Sequence, residues 1–178
     1  MERLEEQEYY LHLQNLQRNG AFRLSRITTF LNPWNDIRGD GWQIVQSLYA
    51  IGSGGLFGAG LGESKQKFLY IPEPHNDFIF SVLAEELGFI GCAAVIILFA
   101  VFIWRGLLIA MKAPDMFGSL VAVGITSLIG LQAIMNIAVV TSSMPNTGIP
   151  LPFFSYGGTA LVILLCSVRH ITKYIKVM

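Results

Sequence analysis

The residues best suited to chemistry crowd into one stretch, IPEPHNDFIFSVLAEELG (residues 71–88), where Glu73, His75, Asp77, Glu85 and Glu86 stand directly ahead of a long apolar run. A carboxylate at the edge of a hydrocarbon layer loses part of its hydration, which raises its pKa and makes it a usable general base near neutral pH. A helix beginning near Asn76 would set Asp77, Ser81 and Glu85 on one polar face, with Phe78, Ile79, Val82 and Leu83 turned toward lipid or protein. The competing assignment is that Asp77 or Asn76 only caps that helix, a role worth about 1 kcal/mol. The substitution Asp77→Asn separates the two, because Asn caps about as well but takes no proton. Glu73, His75 and Asp77 alternate along the segment and could share one side around a metal ion, but this spacing is nonspecific and no metal ligand is assigned.

Three further groups of residues bear on function. GSGGLFGAGLG (residues 52–62) has six glycines in eleven residues, which favours turns and close backbone approach over regular helix. It fits neither GxGxxG nor GxxxxGK[ST], so nucleotide binding is not indicated. Lys65 and Lys67 follow at once, and at a membrane surface such a pair attracts a lipid pyrophosphate or simply lipid headgroups. Gln132 and Asn136 lie four apart within an apolar run, where each amide must find a partner. Interhelical hydrogen bonding, worth about 0.6 kcal/mol each, is the plainer role, and lining a polar cavity the alternative. The third group is MPNTGIPLPFFSYGG (residues 144–158), with three prolines and three glycines. Pro150 and Pro152 lack amide donors, so regular helix cannot start there. Non-helical backbone at membrane depth must be covered by protein or line a cavity.

The elements that position these groups follow from composition. Of 178 residues, 53% are hydrophobic and 13% charged, against roughly 25% charged in soluble domains, which points to a membrane protein. Three stretches reach the roughly 20 apolar residues that a bilayer core of about 30 Å requires: residues 89–111, 117–140 and 149–168. Charge is uneven, with an acidic excess up to Glu86 and a basic excess after it. Arg105 and Lys112 flank the first connection, and Arg169, His170, Lys173 and Lys176 crowd the C-terminus, so both ends are expected to be cytoplasmic. Residues 141–150 and everything before Phe89 then lie outside. Residues 1–22 have no basic n-region with an apolar h-region, so they are not a secretory signal peptide. An odd number of upstream spans is therefore expected, as for a piece of a longer chain or a mis-started reading frame. Cys92 and Cys166 sit singly in apolar runs and read as small fillers.

In order along the chain, FLNPWNDIRGDGWQIVQSLYAIGSGGLFGAGLGESKQK, YIPEPHNDFIFSVLAEELGFIG and PNTGIPLPFFSYGGT resemble the SEDS family of FtsW, RodA and SpoVE, nearest to FtsW- and SpoVE-like members. The resemblance spans about residues 22–168. It implies an all-α, polytopic membrane protein of which this chain is the last three transmembrane helices plus the preceding large external loop with short amphipathic helices. The implied organisation is a polar segment 1–21, a catalytic external loop 22–88, spans 89–111 and 117–140, an external loop 141–158, the rest of the third span 159–168, and a basic cytoplasmic tail 169–178.

The resemblance also implies an activity: a peptidoglycan glycosyltransferase of the bacterial cytoplasmic membrane that polymerises lipid II on the outer face, alongside a class B penicillin-binding transpeptidase and other divisome or elongasome membrane proteins. The family's essential acid lies in a His-Thr-Asp-Phe-Ile-Phe motif, here HNDFIF, and carries over to Asp77, with Asn76 in place of Thr. Lys65, Lys67, Glu73, His75 and Glu85 are candidates for substrate contact or shaping. Pro145, Gly148, Pro152, Ser155, Tyr156, Gly157 and Gly158 form the structural signature before the last span. No organic cofactor or nucleic acid is expected, and a divalent cation, magnesium or manganese, is the one plausible aid. The rival readings are a transporter that flips lipid-linked precursors, with Gln132 and Asn136 on its path, and an inactive fragment that only binds partners.

Overall fold

The computed structural model describes residues 29–30, 32–36, 41–64 and 77–173. Among these the secondary structure is helical, with no strand: a 3-10 turn Pro33–Asp36 precedes α1 (Trp42–Gly54), α2 (Ile79–Met111), α3 (Met116–Val140) and α4 (Gly158–Lys173). Within residues 22–88, for which short amphipathic helices are expected, the described residues hold the short helix α1. Lys65, Lys67, Glu73, His75 and the polar segment 1–21 lie outside the described residues.

Two helices, α2 and α3, are long and apolar enough to cross a bilayer. Their outward faces carry Ile97, Leu98, Trp104, Leu120, Leu128, Leu131 and Ile134, all exposed. An apolar surface this continuous is untenable in water and suits lipid. Where α2 and α3 cross, small residues let the backbones approach: a β-carbon on Gly106 would overlap Thr126, and one on Gly130 would press on Ile103. Asp115 starts α3 by accepting from the Gly118 amide at 2.7 Å, which satisfies one of the free amides at the helix N-terminus.

The helix α2 is not continuous, because Gly88 (φ 67°, ψ −166°) breaks it. Residues 89–111 beyond the break make about 34 Å of helix, enough to span the hydrocarbon. The core gathers where α1, the first part of α2, the upper end of α3 and the loop after it meet, around Phe78, Phe80, Ala84, Val139, Val140 and Leu151.

The glycine segment explains how the break is tolerated. The amides of Ala59 and Gly60 donate to the carbonyls of Glu85 and Glu86 at 2.9 and 3.1 Å, and the amides of Phe89 and Ile90 donate to the carbonyls of Gly55 and Leu56 at 2.9 and 3.3 Å. Four backbone groups that the break would leave open are thus satisfied from one neighbouring loop, as low-dielectric surroundings demand. Only glycine permits this approach: β-carbons on Gly54 and Gly58 would overlap the carbonyls of Ala84 and Glu86, and one on Gly88 would overlap Gly58.

The approach to α4 is irregular as Pro150 and Pro152 require, and helix begins only at Gly158. Leu164 and Val168 of α4 lean on the main core and Ile171 joins Ala110 and Ala122, while Leu161, Val162, Ile163 and Leu165 stay exposed.

Candidate active site

Asp77 is half-buried and stands just ahead of α2. The helix begins at Ile79, and the N-cap position falls on Phe78, which offers no side-chain cap. A helix starting near Asn76 is therefore corrected: Asp77 lies outside it and does not share a helical face with Ser81 and Glu85. Ser81 and Glu85 do share one, yet that face is not wet. It is turned into the packing against α1 and the glycine segment, with Ser81 0% and Glu85 4% exposed. Ser81 Oγ bonds the Phe78 carbonyl at 2.7 Å, and Glu85 accepts a short hydrogen bond from Ser64 Oγ. Placing this polar face inward costs little once such partners exist. Phe78 and Val82, expected to face lipid or protein, are buried in protein.

The surroundings of Asp77 are built by the loop between α3 and α4. Asn136, on α3, is 1% exposed. Its Nδ2 donates to two backbone carbonyls at 2.7 Å, that of Asp77 and that of Ile149. One amide thereby ties the segment bearing the acid to the proline-rich loop. The expectation of an interhelical bond for Asn136 was right about the need for a partner and wrong about its identity, since both partners sit on non-helical backbone. Gln132, one turn away, is half-buried.

Beside the acid, Gly148 has φ 65°, and a β-carbon there would lie 3.3 Å from Asp77 Oδ2. A glycine at this position thus serves both the left-handed turn and the room for the carboxylate. Pro145 and Asn146 precede it, and Asn146 Nδ2 donates to Gln43 Oε1 of α1 at 3.2 Å. Ser47 Oγ of α1 donates to the Val140 carbonyl at 2.9 Å. Nothing in the sequence singled out Gln43, Ser47 or Ser64, because an isolated polar residue in an amphipathic segment carries no signal of its partner.

Further along, Ser155 Oγ accepts from the Leu151 amide at 2.7 Å, and the Leu151 carbonyl accepts from the Phe154 and Ser155 amides. This compact turn buries Leu151 and Pro152 and turns Phe153 and Phe154 toward Phe99 of α2, with ring centroids 6.4 and 6.3 Å apart. Tyr156 is exposed and Gly157 and Gly158 lead into α4; all three line an open cleft of about 400 Å³ with Ile79 and Leu161. Among the described residues no three His, Cys, Asp or Glu side chains converge as a metal site would require.

A carboxylate held at the mouth of a bundle of lipid-facing helices, on backbone that the bundle itself pins, places the chain among polytopic helical membrane proteins. Over residues 10–175 it matches the family of cell cycle proteins FtsW, RodA and SpoVE, and it belongs to that family. Stage V sporulation protein E of Bacillus subtilis (strain 168) is 59% identical over 150 residues, covering 84% of this chain and 41% of that protein. A probable peptidoglycan glycosyltransferase FtsW of Geobacter sp. (strain M18) is 53% identical over 148 residues, covering 83% of this chain and 40% of that protein. Among solved structures, a chain of a peptidoglycan synthase complex that coordinates polymerization and crosslinking superposes with a TM-score of 0.66 at 30% identity, covering 85% of this chain and 41% of that one. The rod shape determining protein RodA of Thermus thermophilus superposes with a TM-score of 0.53 at 35% identity, over 70% of this chain and 37% of that one. The chain therefore spans about two fifths of the length of these relatives.

Proposed function

We propose that this chain contributes the catalytic acid–base residue of a peptidoglycan glycosyltransferase that polymerises lipid II. The observation that carries the reading is the anchoring of Asp77: a half-buried carboxylate beside Gly148 whose own backbone is held by a buried amide. Relatives named as peptidoglycan glycosyltransferases support the substrate class. In the proposed step the Asp77 carboxylate takes the proton from the 4-hydroxyl of the acceptor N-acetylglucosamine. That oxygen attacks the anomeric carbon of the donor strand, the bond from that carbon to phosphate breaks, and undecaprenyl pyrophosphate leaves with the electron pair, inverting the anomeric centre. Lys65 and Lys67 stabilise the leaving pyrophosphate. Glu73 and His75 shape the acceptor side. Glu85, held by Ser64 inside the fold, has a shaping role rather than substrate contact. The described acidic residues form no cluster of three that could hold magnesium or manganese.

The same reading puts the protein in the bacterial cytoplasmic membrane with Asp77 on the outer face, consistent with basic residues at Arg105, Lys112 and Arg169. It counts α4 as a third span: its 16 residues make about 24 Å of helix, and the irregular backbone of residues 149–157 supplies the remaining depth. A class B penicillin-binding transpeptidase is the proposed partner, together with other membrane proteins of division or elongation, and membership of a synthase complex by a solved relative supports this. The deciding experiment supplies purified lipid II to the full-length protein with its transpeptidase and measures both glycan strands and lipid translocation in vesicles. Strand synthesis that requires Asp77 is the expected result. Translocation that survives Asp77→Asn without strand synthesis by the wild type would replace this reading with a lipid transporter.

A further inference from the structure

At the mouth of the bundle one buried side chain binds two non-helical segments at once. Asn136 sits on α3, far from Asp77 in sequence, and is almost completely enclosed. Its two Nδ2 hydrogens are both used, on the carbonyls of Asp77 and Ile149, and its Oδ1 is buried without a protein partner. Leaving a buried acceptor open is costly, so the arrangement favours the donors at the acceptor's expense. A planar NH₂ group that presents two hydrogens to two separate acceptors is available only from an amide side chain at this size.

The two carbonyls are not equivalent bystanders. One belongs to the residue bearing the carboxylate, and the other follows directly on Gly148, whose backbone flanks that carboxylate. Neither segment is helical, so no ladder of backbone bonds fixes their separation. We infer that Asn136 is a positioning residue for Asp77: its amide sets the distance between the acid-bearing segment and the Gly148–Ile149 turn, and thereby where the carboxylate points. This inference rests on the reading of Asp77 as the base. It does not place Asn136 in contact with substrate.

The test uses the full-length protein with its transpeptidase and purified lipid II, comparing wild type, Asn136→Leu, Asn136→Asp and Asp77→Asn, each rate expressed per folded protein. Asn136→Leu keeps the shape and removes both donors. It is expected to lower kcat by about 100-fold, the scale of an ångström-sized misplacement, while KM for lipid II moves by less than about threefold. Asn136→Asp has the same shape and, protonated in its buried site, retains one donor, so its kcat is expected between the two. A folded Asn136→Leu protein with kcat within about twofold of wild type overturns the inference, as does an Asn136→Asp protein no better than Asn136→Leu. If Asn136→Leu does not fold, Asn136→Asp decides alone, with wild-type kcat as the contrary result. Normal polymerisation by Asp77→Asn instead removes the reading of Asp77 itself, whatever Asn136 does.

Discussion

Backbone leaves regular helix twice at the mouth of this bundle, and the two interruptions are held in different ways. At Gly88 the open groups of α2 are satisfied by four backbone hydrogen bonds from the glycine segment, with no side chain involved. Between Asp77 and Ile149 a single side chain, Asn136, does the joining. The first arrangement depends on the absence of side chains, and the loop and the helix ends each supply both donors and acceptors. The second depends on the presence of one side chain and leaves the joined segments free of other regular structure. A scaffold is thus built backbone to backbone, and a buried amide side chain ties the acid-bearing segment to it.

The largest effect that would break this contrast is expected at Gly88. A β-carbon there meets the Gly58 amide in a left-handed backbone conformation. Gly88→Ala therefore adds about 1–3 kcal/mol of strain and disrupts several bonds worth about 0.5–1.5 kcal/mol each, so folded protein should fall sharply in thermal unfolding of the detergent-purified full-length protein. A variant that melts with wild type would mean that the break is not splinted as described.

Next in size is Gly148→Ala. The strain is again about 1–2 kcal/mol, but here the new methyl presses on Asp77 Oδ2 at 3.3 Å. Activity should therefore drop further than stability, and equal proportional losses would argue that the turn does not position the acid. Ser155→Ala leaves the Leu151 amide without its acceptor and should cost about 1 kcal/mol, visible as a modest fall in melting temperature. Smallest, and opposite in sign, is Gly52→Ala: this glycine lies within α1 with nothing near its β position, so alanine should stabilise by roughly 0.5–1 kcal/mol. A loss at Gly52 comparable to that at Gly88 would show that glycine content matters for reasons other than close approach.

Much of this was legible in the residues, and the parts that were not share a cause. The apolar helix expected at 117–140 is present as α3 within a residue of each end, because an uninterrupted apolar run of this length satisfies its backbone most simply as one helix. The span expected from Phe89 coincides with the part of α2 beyond the break, yet Gly88 itself reads as an ordinary glycine in LAEELGFIG. Its left-handed conformation is imposed by a loop some thirty residues away. Likewise the need of Asn136 for a partner was plain, but the partner was not, because two irregular carbonyls leave no periodicity to read. The polar stripe Ser81–Glu85 was visible, while its burial depended on Ser64, outside any recognisable pattern. HNDFIF and PNTGIPLPFFSYGG are separate motifs in the sequence, and folding brings Asp77 of one against Gly148 of the other.

The most direct test of the central claim is glycan-strand synthesis from purified lipid II by the full-length protein and its transpeptidase, comparing wild type with Asp77→Asn at matched amounts of folded protein. Asp77→Asn keeps the shape and the backbone carbonyl that Asn136 binds but cannot take a proton, so the account predicts loss of polymer with unchanged melting temperature. Undiminished polymer would contradict it and move the search for the base to another residue.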